Sequence, residues 1–299
     1  MKNIAIKNNS NPIEPSELVI REDGSIYHLK LKPEQLADKI IVVGDPDRVA
    51  LVSSRFDKIE YKINGREFHT HTGYFNGQRI SVLSTGIGVD NLDIVMNELD
   101  AVVNIDLETR MIKPEKKKLQ IVRLGTSGAL QENIPTGSFL VSEYAIGLDG
   151  VLNFYKTEFD EDEINLLRAF HKQIDYPEIL PKPYFVRGSK NLFKLMQPGN
   201  FSGITATASG FYGPQGRVLR MNTNFADQNE ILGGFLYEGK RISNFEMETS
   251  SLYGLSGLLG HEAITVCAII ANRYRKEFCE RPREVISELI DMVLERLTA

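Results

Sequence analysis

Two glutamates flank a methionine at the end of ISNFEME, residues 242–248, just ahead of the small and apolar run TSSLYGLSG. On an extended backbone alternate side chains share a face, so Glu246 and Glu248 would present two carboxylates together and Met247 would point the other way. If a helix begins here instead, both acids lie near the positive end of its dipole, Glu248 as a helix-start acid and Glu246 as a solvated neighbour. Arginines bordering glycine turns suggest a second chemistry. In GDPDR, residues 44–48, turn amides and Arg48 follow an apolar strand. That suits an oxyanion, and equally a helix cap with a surface arginine. Arg123 lies in IVRLGTSG, on a strand otherwise composed for burial that runs into a Gly-Thr-Ser-Gly turn. A charge there requires a carboxylate or a bound anion, and Thr126 and Ser127 add hydroxyl donors beside it.

A scaffold of alternating strands and helices must position these groups. IIVVGDP (40–46) reads as a buried strand ending in a turn, with a helix over 47–56. Antiparallel strands follow, Asn76-Gly77 being the strongest hairpin signal, and then a helix over 90–106. Residues 119–130 and 262–273 read as buried strands, 137–150 as extended, and 202–217 as a small-residue strand leading into a Gly/Pro loop. Helices are expected over 159–175 and 190–198, and the C-terminal run from Pro282 carries one apolar stripe from Val285 to Leu297. The lysine-rich 113–118 is a solvated loop. Elements interleave without a composition break, so a polar, Pro-containing extension over residues 1–26 is expected to precede a single domain over 27–299. In α/β sheets ligands gather where strands end, so the loops at 44–48, 123–128, 210–217 and 246–248 are expected to converge. The Gly-x-Gly of STGIGVDN (84–91) has Asn91 where a dinucleotide fingerprint needs its third glycine, and no early βαβ unit surrounds it.

The 299 residues are 42% hydrophobic and 25% charged, as in an ordinary globular protein. A formal charge of −5 argues against a general nucleic-acid binder. Two cysteines, Cys267 and Cys279, match no zinc pattern and read as thiols in a reducing compartment. With no signal peptide and no apolar run of membrane-spanning length, no membrane partner is expected and the location expected is cytoplasmic.

Taken in order, VVGDPDRV, REF, STGIG, RLGTSGA, GFYGPQGR, FEMETSS and IIANR resemble the nucleoside phosphorylase superfamily, and within it the branch that cleaves uridine. The resemblance runs from about residue 28 to 273. It implies an α/β fold, a three-layer α/β/α sandwich around a mixed, barrel-like central sheet. It implies phosphorolysis of uridine to uracil and ribose 1-phosphate, with inorganic phosphate as co-substrate, no metal and no organic cofactor. Gly44 and Arg48 match a phosphate-binding turn, and Arg123 and Thr126 the second half of that site. Arg66, in REF, matches an arginine lent by a neighbouring subunit. His28 matches a histidine that reaches the ribose 5′-hydroxyl across the same interface. Glu246, Met247 and Glu248 match the ribose-binding triplet, a carboxylate being a good acceptor for vicinal hydroxyls. Phe211, Gln215 and Arg217 match the uracil pocket, which Ile270 and Arg273 close. Arg123, Glu248 and Arg217 would carry the catalysis.

The resemblance also implies a homo-oligomer with shared sites, either a dimer or a hexamer built as a trimer of dimers. Purine-specific relatives commonly place an aspartate where this chain has Asn272-Arg273, which favours a pyrimidine. Some relatives hold a monovalent cation with a glutamate at the position of Glu67 and a serine at that of Asn91; the serine is absent, so that ion is not expected. The alternatives are a nucleosidase on the same fold, a purine nucleoside phosphorylase, and a non-catalytic nucleoside-binding protein. The first would have no use for Arg48, Arg66 and Arg123 together.

Overall fold

Short, wholly apolar runs punctuated by glycine and proline become strands, and longer runs with apolar residues every three or four positions become helices. In this computed structural model, which describes residues 11–299, the chain begins β1 (Lys39–Val43), α1 (Pro46–Ser53), β2 (Lys58–Gly65), β3 (Phe68–Phe75), β4 (Gln78–Ser84), α2 (Val89–Asn104), β5 (Ile105–Asp106) and β6 (Met111–Ile112). It continues β7 (Gln120–Ala129), β8 (Phe139–Gly147), α3 (Glu161–Gln173), β9 (Tyr184–Arg187), α4 (Lys190–Met196), β10 (Phe201–Thr207) and α5 (Gln228–Gly233). Last come β11 (Leu236–Tyr237), β12 (Lys240–Glu246), α6 (Thr249–Leu259), β13 (Glu262–Asn272), β14 (Glu277–Phe278) and α7 (Pro282–Thr298). The first ten positions of the expected extension lie outside the described residues. From residue 11 it is laid against the domain, with Ile13 N–H donating to Arg110 O (2.9 Å) and with Leu18 and Ile26 buried.

Five strands close on themselves. β12 pairs with β10 and β10 with β8 in parallel, β8 with β13 antiparallel, and β13 with β7 in parallel. β7 then returns to β12, antiparallel, through Asn244↔Ala129 and Phe245↔Gly128. Along the same edge of β7 that meets β12, residues 120–124 pair with β1, and an open sheet continues through β4, β3 and β2. The helices complete a three-layer α/β/α sandwich. α2 and α6 pack together on one face, and α4 meets α7 on the other. Arg55, just after α1, ties α1 to α7 through Asp291 (3.0 Å).

Residues 125–128, expected as a turn, are strand: β7 runs on to Ala129. The small residues serve closure instead. A Cβ on Gly128 would lie 3.3 Å from the Arg273 side chain, so the missing side chain makes room beside the seam with β12. β9, inside the Pro-rich stretch, is a strand that composition did not reveal, because its four residues gain their place only by pairing with β8.

The barrel interior holds a buried polar layer. Thr205 of β10 donates to Asn244 Oδ1 of β12 (2.7 Å), so the Ser142 hydroxyl of β8 must be the donor in its 2.5 Å contact with Thr205. Asn244 Nδ2 donates in turn to Ser127 Oγ of β7 (2.9 Å). All four residues are buried. A fully paired layer is stable, and one broken member leaves its neighbours unsatisfied. Asn244→Leu is expected to cost about 1–3 kcal/mol of stability, read as a lower midpoint of chemical denaturation at fixed protein concentration.

Candidate active site

The Glu-Met-Glu triplet spans a strand end and a helix start, and the two acids divide the roles. β12 ends at Glu246, and Glu248 is the residue that precedes α6. Glu246 Oε1 accepts from Thr207 Oγ1 (2.6 Å) and Thr249 N (3.0 Å), and Oε2 from Glu248 N (2.9 Å) and Thr249 N (3.0 Å). Its Oε2 also lies 3.3 Å from Arg123 Nη1. A carboxylate has about four acceptor positions, and in Glu246 the chain itself fills them. Glu246 is therefore a buried helix-start acid and not a solvated neighbour. Glu248 Oε1 accepts from Gly88 N (2.9 Å) and Oε2 pairs with Arg123 Nη2, which leaves acceptor capacity on both oxygens. Met247 is the one residue between 242 and 256 that is not buried, so it faces outward beside Glu248.

Arg123, the charge that sequence alone leaves needing a carboxylate or an anion, finds both glutamates. Burial opposes its charge, but Glu248 and Glu246 outweigh that cost and hold the guanidinium protonated. Burial raises the Glu248 carboxyl above its ordinary range, Arg123 opposes the rise and Glu246 adds to it. Arg123 curls over Gly125, where a Cβ would lie 2.1 Å from Nη1 and 2.8 Å from Cys267 Sγ. Burial pushes the Cys267 thiol up to about 12, so it meets the arginine as a neutral group.

The pairing is incomplete on one side. Arg123 Nε is buried and has no partner among the described residues. Arg48 donates only to Leu124 O (3.3 Å) and has no carboxylate ion pair among the described residues. Burial, and to a lesser degree Arg123, work against its charge, while Asp45 supports it. Asp45 caps α1 by accepting from Asp47 N (3.0 Å). The Gly44 turn abuts the loop of Gly86, whose carbonyl would lie 3.4 Å from a Cβ on Gly44. Thr126 is the only residue from Ile121 to Ala129 that is not buried. Arg48 lies close enough to Arg123 for the second charge to oppose the first, and two neighbouring guanidiniums with donors to offer suit an oxyanion.

A second group lies after β10. Arg217 stacks on the Phe211 ring at 3.7 Å and donates to Phe211 O (2.5 Å) and Gln215 Oε1 (2.7 Å). Arg273 Nη2 donates to Gln215 O (3.3 Å). Burial first, then the charge of Arg273, lowers Arg217 to about 10. Gln215 is buried, whereas Phe211 is half exposed. Ile270, half-buried, lies at the irregularity of β13 between Ile269 and Ala271. Arg123 over Gly125 and Arg273 over Gly128 bring the two groups to the same segment of β7. A cleft of about 1430 Å³ opens behind this loop, lined by Gln228, Asn229, Arg241 and Arg273 among others. Its lining includes none of Arg48, Arg123 and Glu248, so the ion-paired group lies outside this cleft.

His28 and Arg66 stand apart from these groups. His28 Nδ1 contacts Glu98 Oε1 (2.6 Å), and the His28 and Leu29 amides donate to the same carboxylate. Arg66 is exposed on the turn between β2 and β3, at φ +54°, with no ion pair among the described residues. Sequence reasoning missed the Gly88 amide: STGIG was weighed as a dinucleotide fingerprint and as one motif of the resemblance, and neither gave Gly88 a role. It missed Thr207 as well, although threonines at 205 and 207 share a face of an otherwise apolar strand.

A closed mixed barrel in an α/β/α sandwich, with a buried arginine and two buried carboxylates beside an arginine-stacked aromatic loop, defines an α/β protein suited to a polar, partly anionic small ligand. The chain belongs to the phosphorylase superfamily, whose family model matches residues 38–296. It is 33% identical over 257 residues to the uridine phosphorylase of Thermococcus kodakarensis, covering 86% of this chain and 81% of that one. It is also similar to a Trypanosoma brucei nucleoside phosphorylase whose crystal structure shows uridine phosphorylase activity, with TM-score 0.86, 32% identity, and 94% and 99% of the two chains covered. A Toxoplasma gondii purine nucleoside phosphorylase shares the fold at TM-score 0.66 and 18% identity, over 94% of this chain and 98% of that one.

Gly125→Ala tests the arginine seat. The added methyl must displace Arg123, and kcat/KM is expected to fall at least about 100-fold while the circular dichroism spectrum is kept. Activity near wild type would show that the guanidinium position is unimportant.

Proposed function

We propose that the protein catalyses phosphorolysis of uridine to uracil and ribose 1-phosphate, as a pyrimidine-preferring nucleoside phosphorylase. The observation that carries the reading is the pair of arginines at 48 and 123: among the described residues the first has no carboxylate partner and the second has a buried, unpartnered Nε–H. Phosphate would lie there, held by Arg48, Arg123, Thr126 and the Gly44 turn, below the sugar. Arginine forks match phosphate oxygens in pairs and neutralise their charge. Glu248, with acceptor capacity left, would receive the ribose hydroxyls, and Met247 would give the sugar an adaptable apolar contact. Glu246 holds the other two in place.

As the glycosidic bond lengthens, positive charge develops on the ribose and negative charge on the departing uracil. Phosphate and Glu248 stabilise the first. Arg217 and Gln215 stabilise the second, and their contacts strengthen as the base gains charge. Phe211 offers a stacking face, and Ile270 and Arg273 close the pocket. No metal or organic cofactor is required, because phosphate is itself the nucleophile.

Arg66 and His28 would serve the site of a neighbouring subunit, so the active unit is at least a dimer. An exposed arginine on a turn and a histidine held by Glu98 support that placement. The single domain runs over 27–299, preceded by the extension. No helix among the described residues is long and apolar enough to cross a membrane, and both cysteines are free thiols, which supports a cytoplasmic location.

Uracil release from uridine should depend on added phosphate and exceed release of hypoxanthine from inosine; phosphate-independent release would indicate a nucleosidase instead. Arg48→Ala should raise KM for phosphate at least about 10-fold, in line with a lost charged hydrogen bond. Mixing Arg66→Ala with Glu248→Ala chains should restore partial activity, and no recovery despite demonstrated subunit exchange would place Arg66 outside the site.

A further inference from the structure

We propose that Thr207 is a positioning residue for this reaction, setting the geometry of Arg123 and Glu248 through Glu246. The inference rests on the functional reading above. Thr207 ends β10, where it is the register partner of Glu246, the last residue of β12. Its side chain is fully buried. The hydroxyl donates to Glu246 Oε1 (2.6 Å) and accepts from Ser250 N (3.0 Å) in the first turn of α6. One oxygen therefore joins a strand end, a carboxylate and a helix N-terminus.

The consequences run outward from that oxygen. Glu246, oriented by Thr207, binds the amides of Glu248 and Thr249 and lies 3.3 Å from Arg123 Nη1. Those contacts place the residue that carries the Glu248 carboxylate, and Glu248 completes the seat of Arg123. A further bond from Ser250 Oγ to Asp149 Oδ2 (2.7 Å) braces the same turn, and Tyr184 OH donates to both oxygens of Asp149. Thr207 itself reaches no ligand: it is enclosed, and both functions of its hydroxyl are taken. Its role is to restrict Glu246 to one rotamer, the kind of support that keeps a site within a fraction of an ångström of its working geometry. A threonine suits this better than an apolar isostere, because valine would leave Glu246 short of a donor and Ser250 N–H unpaired in a buried place.

The test compares Thr207→Val with Thr207→Ser in steady-state kinetics on uridine and phosphate, wild type alongside, with folded fraction and melting temperature measured for each. Thr207→Val is expected to lose about 10–100-fold in kcat/KM per folded enzyme, and Thr207→Ser to stay within about 3-fold of wild type. The conservative variant gives a readout that a merely structural role would not: Thr207→Ser keeps the hydroxyl and removes only the methyl, so activity per folded molecule should follow the hydroxyl and not the melting temperature. If Thr207→Val folds poorly, Thr207→Ala, with room for a water, carries the same comparison. Full activity per folded molecule in the variant lacking the hydroxyl, or an equal loss in Thr207→Ser, overturns the proposal. Wild-type enzyme that does not release uracil in response to phosphate would overturn the functional reading instead.

Discussion

Burying one guanidinium organises this molecule. Arg123 sits in the middle of β7, between β1 and β13, where its charge is cut off from water. Losing that hydration is costly, and the loss is recovered only with good partner geometry. The chain brings Glu246 to it at the end of a strand that runs antiparallel to β7, and Glu248 two residues on, just ahead of α6. Those carboxylates would be costly to bury as well. The Gly88 amide, the first amides of α6 and the Thr207 hydroxyl make up for their lost water.

Two glutamates two positions apart therefore end in different chemical states of use. Glu246 has its acceptor positions filled by the chain and acts as mechanical support. Glu248 has fewer donors and keeps spare acceptor capacity. The same asymmetry holds for the arginines. Arg123 is neutralised and fixed, whereas Arg48 has only a carbonyl to bind among the described residues. A site that tethers one cation and leaves another short of partners can attract phosphate without collapsing onto itself before the phosphate arrives.

The barrel supplies a paired framework for these charges. Its closing seam, β7 against β12, is the segment that carries Arg123 on one side and the glutamates on the other. Beneath it, Ser142, Thr205, Asn244 and Ser127 form a hydrogen-bonded layer, so the support is polar yet satisfied. Glycines at 125 and 128 make this possible, since each leaves the space that an arginine side chain crosses.

Strand and helix positions were legible in the chain because burial imposes its period on local composition: β1, β7, β13, α2 and α7 lie within a few residues of where the apolar runs end. The members of the polar site were legible too, since a buried arginine, a glycine turn and paired acids are each unusual in an apolar setting. Which glutamate the chain's own donors fill and which they leave with spare capacity was not, because donors 39 and 160 residues away, Thr207 and Gly88, make that choice. Nor could local composition show that 125–128 continue as strand, since the pairing that keeps them extended comes from β12 and β13. Residue types determined what chemistry was available, and only the closed sheet decided how it was shared out, because hydrogen-bond capacity is allotted among neighbours in space.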